Sequence, residues 1–186
     1  MVTIKKYEPK YFEDVRRVCL NTGPREVFTN PQLRDYILSM FCDYYCEQEP
    51  ENVFVLVDEN DVAQGYVFGA ASFKSYLKKM KPYLAKVKKT GKENYKEAIG
   101  EMLGHALYSF KYPAHLHIDI NEGFRGNGNG SRMIATLTDH MRVDVGVKGI
   151  MLIVGTGNIK AINFYKKNGF KTVRVLKGGT VMGKEL

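Results

Sequence analysis

The sequence predicts an α/β fold, and three observations support this prediction. Runs rich in β-branched and aromatic residues recur along the chain, separated by segments whose apolar residues repeat at helical spacing. A glycine-rich loop joins one such run to a helical segment. The chain has 186 residues, of which 44% are hydrophobic and 26% charged, as in an ordinary globular domain with its own core. We therefore expect a single domain over residues 1–186.

Each predicted element follows from its local pattern. Strands are expected where β-branched and aromatic residues cluster or apolar residues alternate, at residues 2–7, 52–58, 62–72, 116–120, 149–154, 170–176 and 180–184. Helices are expected where apolar residues recur every three or four positions, at residues 12–22, 31–44, 131–145 and 158–167. Asn30-Pro31 is typical of an N-cap with proline in the first turn. Residues 73–112 are predicted to form a helical pair, restarted at Pro82, inserted between the third and fourth strands.

The formal charge of +8 is confined to one segment. Residues 74–96 contain nine lysines and one acid (9 − 1 = +8), so the other 163 residues carry 19 charges of each sign. The excess is either a solvated helix face or a surface for an acidic partner. Nucleic-acid binding is disfavoured because the lysines are not accompanied by a nucleic-acid motif.

The cysteine content and the N-terminus indicate the compartment. Three cysteines without a Cys-x-x-Cys pair do not make a disulfide framework, and Cys42 and Cys46 are expected to be buried thiols. The N-terminus carries charges where a signal peptide needs an apolar run, and no window approaches the roughly 18 apolar residues of a membrane span. We expect a cytoplasmic protein with no membrane partner.

The most specific signal is the run from Ile118 to Ser131, in which a glycine loop separates a strand from a helix. Glycines at 126, 128 and 130 let backbone amides approach a ligand, and the helix start adds partial positive charge, which favours a phosphate or pyrophosphate. The loop is not a P-loop, because Ser131-Arg132 follows the last glycine. It also lacks the glycine spacing of the Rossmann fingerprint. By itself such a loop is equally compatible with a bare turn.

Two motifs in this order resemble those of the GNAT superfamily of N-acetyltransferases. The first, Arg/Gln-x-x-Gly-x-Gly/Ala between a strand and a helix, is matched by Arg125-Gly126-Asn127-Gly128-Asn129-Gly130. The second is a helix motif ending in Gly-Phe, matched by Asn158, Ala161, Phe164, Tyr165, Gly169 and Phe170. The matched part covers residues 114–177, and the order β-α-α-β-β ahead of it fits the family fold. The run Ala114–Asp119 further resembles the acetyltransferase-like domain at the C-terminal end of O-GlcNAcases.

This resemblance implies a mixed central sheet flanked by helices, with acetyl-CoA as acyl donor. The strands ending near Ile120 and Val154 would part, and the pantetheine arm would lie between them like an added strand. The pyrophosphate would rest on the amides of residues 126–131. The donor-binding residues implied in this way are Ile118, Asp119, Ile120, Arg125, Gly126, Asn127, Gly128, Asn129, Gly130, Ser131, Asn158, Ala161 and Tyr165.

The resemblance also implies catalytic roles. Tyr165 would protonate the departing thiolate as general acid, although at this spacing it can also be a core aromatic beside Phe164. Asp119 is the first choice for the general base and His117 the second; the alternative is that both are polar residues on the wetter sheet face. A zinc site at His115 and His117 lacks an identifiable third ligand, so no metal is expected.

The function expected from these features is acetyl-CoA-dependent N-acetylation of a primary amine, carried by a small molecule or a peptide. The alternative is a non-catalytic acyl-CoA-binding module that lost its acceptor chemistry. Proteins of this family are frequently homodimers, so a homodimer is a further expectation. The inserted helices either contribute acceptor contacts through Tyr76, Tyr83, Tyr108 or Tyr112, or pack their apolar faces on the sheet.

Overall fold

One seven-stranded mixed β-sheet organises the structure, a computed structural model that describes residues 2–186. The strands are β1 (Thr3–Lys6), β2 (Val53–Val57), β3 (Ala63–Ala70), β4 (Ala114–Ile120), β5 (Gly149–Gly155), β6 (Lys171–Val175) and β7 (Gly179–Glu185). The helices are α1 (Phe12–Thr22), α2 (Pro31–Leu38), α3 (Tyr44–Gln48), α4 (Phe73–Lys79), α5 (Lys81–Lys89), α6 (Lys92–Ala106), α7 (Asn129–Val143) and α8 (Ile159–Lys167). The predicted α/β class with a mixed sheet is confirmed.

The strand order is β1-β2-β3-β4-β5-β7-β6. Strands β1 to β4 form an antiparallel meander, and β5, β7 and β6 form a second antiparallel unit. The two units meet at the parallel pair β4–β5. Strand β7 enters between β5 and β6, an order that strand patterns alone do not predict.

Alternate strand residues point to two cores on opposite faces of the sheet. Val53, Val55 and Val57 of β2 pack on the side of α1 to α6, which we call the α1 face. Phe54 and Leu56 pack on the side of α7 and α8, the α7 face. This period of two is the strand geometry expected when both faces are covered by helices.

The inserted segment forms three helices rather than the predicted pair. Helix α4 ends and α5 begins at Met80, because Pro82 occupies the first turn of α5, where its missing N–H costs no helical hydrogen bond. Of the nine lysines of residues 74–96, eight are exposed, and the half-buried Lys79 donates to the carbonyl oxygen of Gln48 at 2.8 Å. The lysines thus lie mainly on the outer face of the insertion, as both interpretations of the charge require.

The predicted second helix is interrupted by a π-helical turn. Asn30 caps α2 through its side chain, as expected, accepting from the Leu33 N–H at 3.1 Å. Residues Ser39–Asp43 then form the π-helical turn that joins α2 to α3. Such a turn displaces side chains from the regular helical positions, and it leaves Phe41 half-buried against the sheet.

The tyrosines of the insertion are mostly packing residues. Tyr76 and Tyr83 are buried in the core of the α1 face, and Tyr112 lies over Gly183 of β7. Cys42 and Cys46 are buried free thiols, as expected. Over residues 2–186, no helix is long and apolar enough to cross a membrane.

The close seating of Tyr112 on Gly183 gives a stability prediction. A Cβ added at Gly183 would lie 2.6 and 2.7 Å from Cε2 and Cε1 of the Tyr112 ring. Because a buried aromatic ring cannot move aside cheaply, Gly183→Ala is expected to lower the free energy of unfolding by roughly 1–3 kcal/mol. Denaturant unfolding measures this change. Gly157→Ala, whose added Cβ meets no atom within 4 Å, is the matched control, and equal stabilities of the two variants would contradict the packing.

Candidate active site

The parallel strands β4 and β5 pair over only two positions. Ala114 is opposite Ile150 and His115 opposite Met151, and beyond these positions the strands part. Residues 116–120 of β4 remain paired with β3 on their other side, and residues 152–155 of β5 remain paired with β7. A wedge-shaped gap therefore opens inside the sheet, and the backbone groups that face it are able to bind an extended ligand.

The glycine loop lies at the wide end of this gap. Gly126, Asn127 and Gly128 all have positive φ angles, of 87°, 49° and 73°, and Asn129 begins α7. A Cβ added at Gly126 or Gly128 would meet no atom within 4 Å, so this surface is open. Among the hydrogen bonds of residues 2–186, the N–H groups of residues 126–128, 130 and 131 have no acceptor. The loop is thus a concave set of free donors at a helix N-terminus, which suits a phosphate or pyrophosphate.

Two of the predicted ligand residues, Arg125 and Asn129, brace the loop with their side chains. The Arg125 Nε donates to the carbonyl oxygen of Ile120 at 2.7 Å. The Asn129 side chain is buried, donates to the carbonyl oxygen of Phe124 at 2.9 Å and accepts from Arg132 at 2.6 Å. Their side chains hold the loop against the end of β4.

The second motif positions α8 beside the gap. The Asn158 Oδ1 accepts from the Ala161 N–H at 3.1 Å and so caps the helix. Tyr165 is half-buried on the α7 face, with its ring centroid 5.2 Å from that of Phe164 and 5.8 Å from that of Phe170. Burial raises the pKa of Tyr165, and the charge of Asp119 raises it further. The phenol therefore stays protonated at neutral pH, and within the described chain its hydroxyl has no hydrogen-bond partner.

On the other face, β4 carries a coupled acid–base pair. The Nε2 of His117 lies 3.0 Å from the Oδ2 of Asp119, and Tyr66 donates to the same oxygen at 2.7 Å. Burial alone would lower the pKa of His117, but the Asp119 carboxylate overcomes this effect and raises it. Both side chains remain partly open, with 33% of His117 and 26% of Asp119 exposed, so the pair can exchange protons with water or a ligand.

His115 has a different environment from His117, although both point to the α1 face. Its Nε2 lies 3.0 Å from the Tyr45 hydroxyl, and its ring lies 4.5 Å from that of His105. Burial, with a contribution from the charges of His105 and His117, holds its pKa well below the ordinary value, so it is neutral. No three metal-ligating side chains of residues 2–186 converge on a common point.

Tyr66 is the site residue that sequence reasoning missed. It belongs to β3 and meets Asp119 only through the β3–β4 register. Its pKa is raised, first by burial and then by the charge of Asp119, so it remains a donor to that carboxylate. The strand pattern predicts which face Tyr66 occupies but not which residue of β4 lies opposite.

A parted parallel strand pair with an amide-lined loop at its wide end is the site of an acyl-CoA-dependent acyltransferase. The chain belongs to the acetyltransferase (GNAT) family, whose sequence model matches residues 19–170. It is an acetyltransferase, and acetyl-CoA is its acyl donor.

Solved structures share the fold over almost the whole chain. SsHAT is 24% identical with a TM-score of 0.86, over 99% of this chain and 98% of that protein. The PaiA N-acetyltransferase of Thermoplasma acidophilum, crystallised with coenzyme A, is 13% identical with a TM-score of 0.63, over 100% and 99%. Ard1 of Thermoplasma volcanium is 20% identical with a TM-score of 0.61, over 100% and 97%. At these identities the similarity establishes the fold.

The left-handed backbone of the loop gives a binding prediction. Alanine at position 126 or 128 causes no collision but strains the backbone by roughly 1–2 kcal/mol, so the loop is expected to relax and its amides to shift. Gly126→Ala and Gly128→Ala should each weaken coenzyme A binding by about tenfold. Calorimetry measures this loss against Gly123→Ala, which has open space and no positive φ. Affinities equal to that of the control would show that the loop geometry is not required.

Proposed function

We propose that the protein transfers the acetyl group of acetyl-CoA to a primary amine, by direct attack of the neutral amine on the thioester. The observation that carries the proposal is the position of proton-transfer groups on the two sides of one gap. Tyr165 lies on the α7 face of the parted strands, and His117 with Asp119 lies on the α1 face. A reaction that removes a proton from one reactant and gives one to the other requires such an arrangement.

The loop and the edge of β4 fit the donor. The free N–H groups of residues 126–128, 130 and 131 suit the pyrophosphate, and the unpaired edge of residues 117–120 suits the pantetheine arm. When bound, acetyl-CoA supplies the acetyl group as an activated thioester. Backbone N–H groups near residues 118–120 would polarise its carbonyl, since donors fixed beforehand cost no reorganisation during the reaction.

The Asp119–His117 pair prepares the amine. A primary alkylamine, with a pKa of about 10.4 for a lysine side chain, is protonated at neutral pH and must lose a proton before it can attack. Asp119 orients His117 through Nε2, which leaves the other ring nitrogen to take the proton directly or through water. Tyr66 holds the carboxylate in place.

Tyr165 completes the proton balance. Before the attack, His117 passes the first proton of the ammonium group on to solvent. As the new C–N bond forms and the C–S bond breaks, His117 takes the second proton from the nitrogen, and Tyr165 gives its phenolic proton to the sulfur. The phenol is re-protonated from solvent, to which its half-buried position gives access. No covalent enzyme intermediate is required.

Tyr165→Phe tests the general acid. The variant keeps the ring packing against Phe164 and Phe170 but removes the proton, so kcat should fall by roughly 10²-fold, while acetyl-CoA affinity stays within about twofold. Thiol release at saturating substrates measures kcat, and calorimetry measures affinity. Tyr95→Phe, a half-buried tyrosine of α6, is the control. An unchanged kcat in Tyr165→Phe would remove this residue from the mechanism.

The pH dependence tests the base. His117 accepts a proton only in its deprotonated form, so kcat should rise with pH. Because the pKa of His117 is raised, the midpoint of this ascending limb should lie above the ordinary pKa of histidine. In Asp119→Asn the carboxylate is lost while burial remains, so the pKa of His117 falls and the limb should move down by about one pH unit or more. The kcat–pH profiles of the two proteins with one amine measure this shift. A limb that stays in place in Asp119→Asn would show that His117 is not the titrating group.

A further inference from the structure

A cavity of about 210 Å³ lies on the α1 face beside the gap. Its lining includes His117 of β4 and Ile153 of β5, each two residues beyond the last β4–β5 pair. The cavity therefore reaches the point at which the strands part. The inserted helices α4 and α6 form part of the cavity wall.

Helix α6 closes the cavity against β5. A Cβ added at Gly104 would lie 2.7 Å from the Cδ1 of Ile153, so the helix backbone packs closely on the side chain of that β5 residue. One turn of α6 then places the side chains of Glu101 and His105 on the cavity wall, with the His105 Nε2 3.4 Å from the carboxylate. The insertion thus contributes both the wall and its acidic group.

The lining combines one carboxylate with aromatic rings. Phe41, Tyr45 and Tyr76 stand around the space, and Glu101 is the only acidic residue among the lining side chains, all of which lie within residues 2–186. Burial raises the pKa of Tyr76, and the charge of Glu101 raises it further, as expected when the carboxylate faces the aromatic wall. None of the nine lysines of residues 74–96 lines the cavity. Aromatic faces and a carboxylate together suit an alkyl cation.

Two buried nitrogen atoms of the lining have no partner. His105 and His115 are 7% and 2% exposed, and over residues 2–186 the Nδ1 of each lacks a hydrogen bond. Unpaired polar atoms in a protein interior are costly, and each calls for an explanation such as a bound water, an ion or a functional role. An ammonium group brings three N–H donors, which the Glu101 carboxylate and a neutral imidazole nitrogen can accept.

The carboxylate of Glu101 is not suited to bind the amine nitrogen that attacks the thioester. It would hold an ammonium group in its charged form, whereas the attacking amine must be neutral. The Asp119–His117 pair serves the reacting nitrogen, so Glu101 serves a second cation of the same molecule. About 210 Å³ corresponds to roughly seven water volumes, or a chain of six to seven non-hydrogen atoms.

We propose that this cavity binds the non-reacting ammonium group of an aliphatic diamine or polyamine, with Glu101 as its counter-charge and the aromatic rings around its methylene chain. The proposal rests on the amine acetylation proposed above, and it names the acceptor class. The group transfer is the same: one nitrogen of the diamine gains the acetyl group, its proton passes to His117, and the thiolate is protonated by Tyr165.

A comparison of 1,4-diaminobutane with butylamine tests the proposal. The two have the same carbon chain and differ only in the second nitrogen. In the unaltered protein the KM of the diamine should be at least tenfold lower than that of butylamine, and 0.5 M NaCl should narrow the gap. Glu101→Gln should raise the KM of the diamine by tenfold or more, with kcat within about threefold and the KM of butylamine unchanged. Glu97→Gln, one helical turn away and outside the cavity lining, is the matched control.

The outcomes separate this site from the proposed function. If Glu101→Gln changes the KM of both amines equally, or of neither, the cavity site is wrong and amine acetylation stands. If no amine is acetylated but calorimetry shows 1,4-diaminobutane binding that Glu101→Gln abolishes, the site stands and the proposed function is wrong. Acetylation of lysine peptides with no preference for the diamine over butylamine would overturn the diamine class without any variant.

Discussion

The parting of β4 and β5 after two residue pairs is the constraint on which the rest of the site depends. Each strand keeps its full ladder on its other side, β4 with β3 and β5 with β7, so the gap opens without unravelling the sheet. Unpaired backbone groups are costly in a dry interior, but these groups face an open gap that is suited to a strand-like ligand. The glycine loop follows β4 directly, so one strand fixes the positions of both the proposed phosphate site and the proposed reaction centre.

Because the gap runs through the sheet, its two faces carry different chemistry. On the α7 face, Tyr165 is held among aromatic residues and remains a protonated donor. On the α1 face, Asp119 changes the behaviour of His117, since the carboxylate raises a pKa that burial alone would lower. Tyr66 then fixes the carboxylate by a hydrogen bond from the neighbouring strand. The proposed general acid and general base are therefore kept apart, on opposite faces of the sheet.

The insertion between β3 and β4 has a charged outer surface and an inner surface that lines a cavity. The nine lysines of residues 74–96, the segment that accounts for the whole net charge, face mainly outward. Its inner surface contributes Tyr76 and Glu101 to a cavity that reaches the gap. The close approach of Gly104 to Ile153 brings helix α6 against strand β5. The insertion, which is the segment that departs most from a minimal acetyltransferase, therefore also shapes the space beside the proposed reaction centre.

The sequence by itself determined the features that depend on neighbours in the chain. The strands, the glycine loop, the cap at Asn30 and the helix break before Pro82 are local, because a few consecutive residues set their backbone geometry. The loop and helix motifs also identified the family, and they pointed to Tyr165 as the candidate general acid. What only the tertiary structure decided depends on contacts between distant segments: the place of β7, the Tyr66–Asp119 bond, the π-helical turn that positions Phe41, and the cavity at Glu101. These features depend on the register of the strands and on how the helices pack against the sheet. A shift of one residue in a strand turns every side chain to the other face, and no local sequence pattern specifies the register.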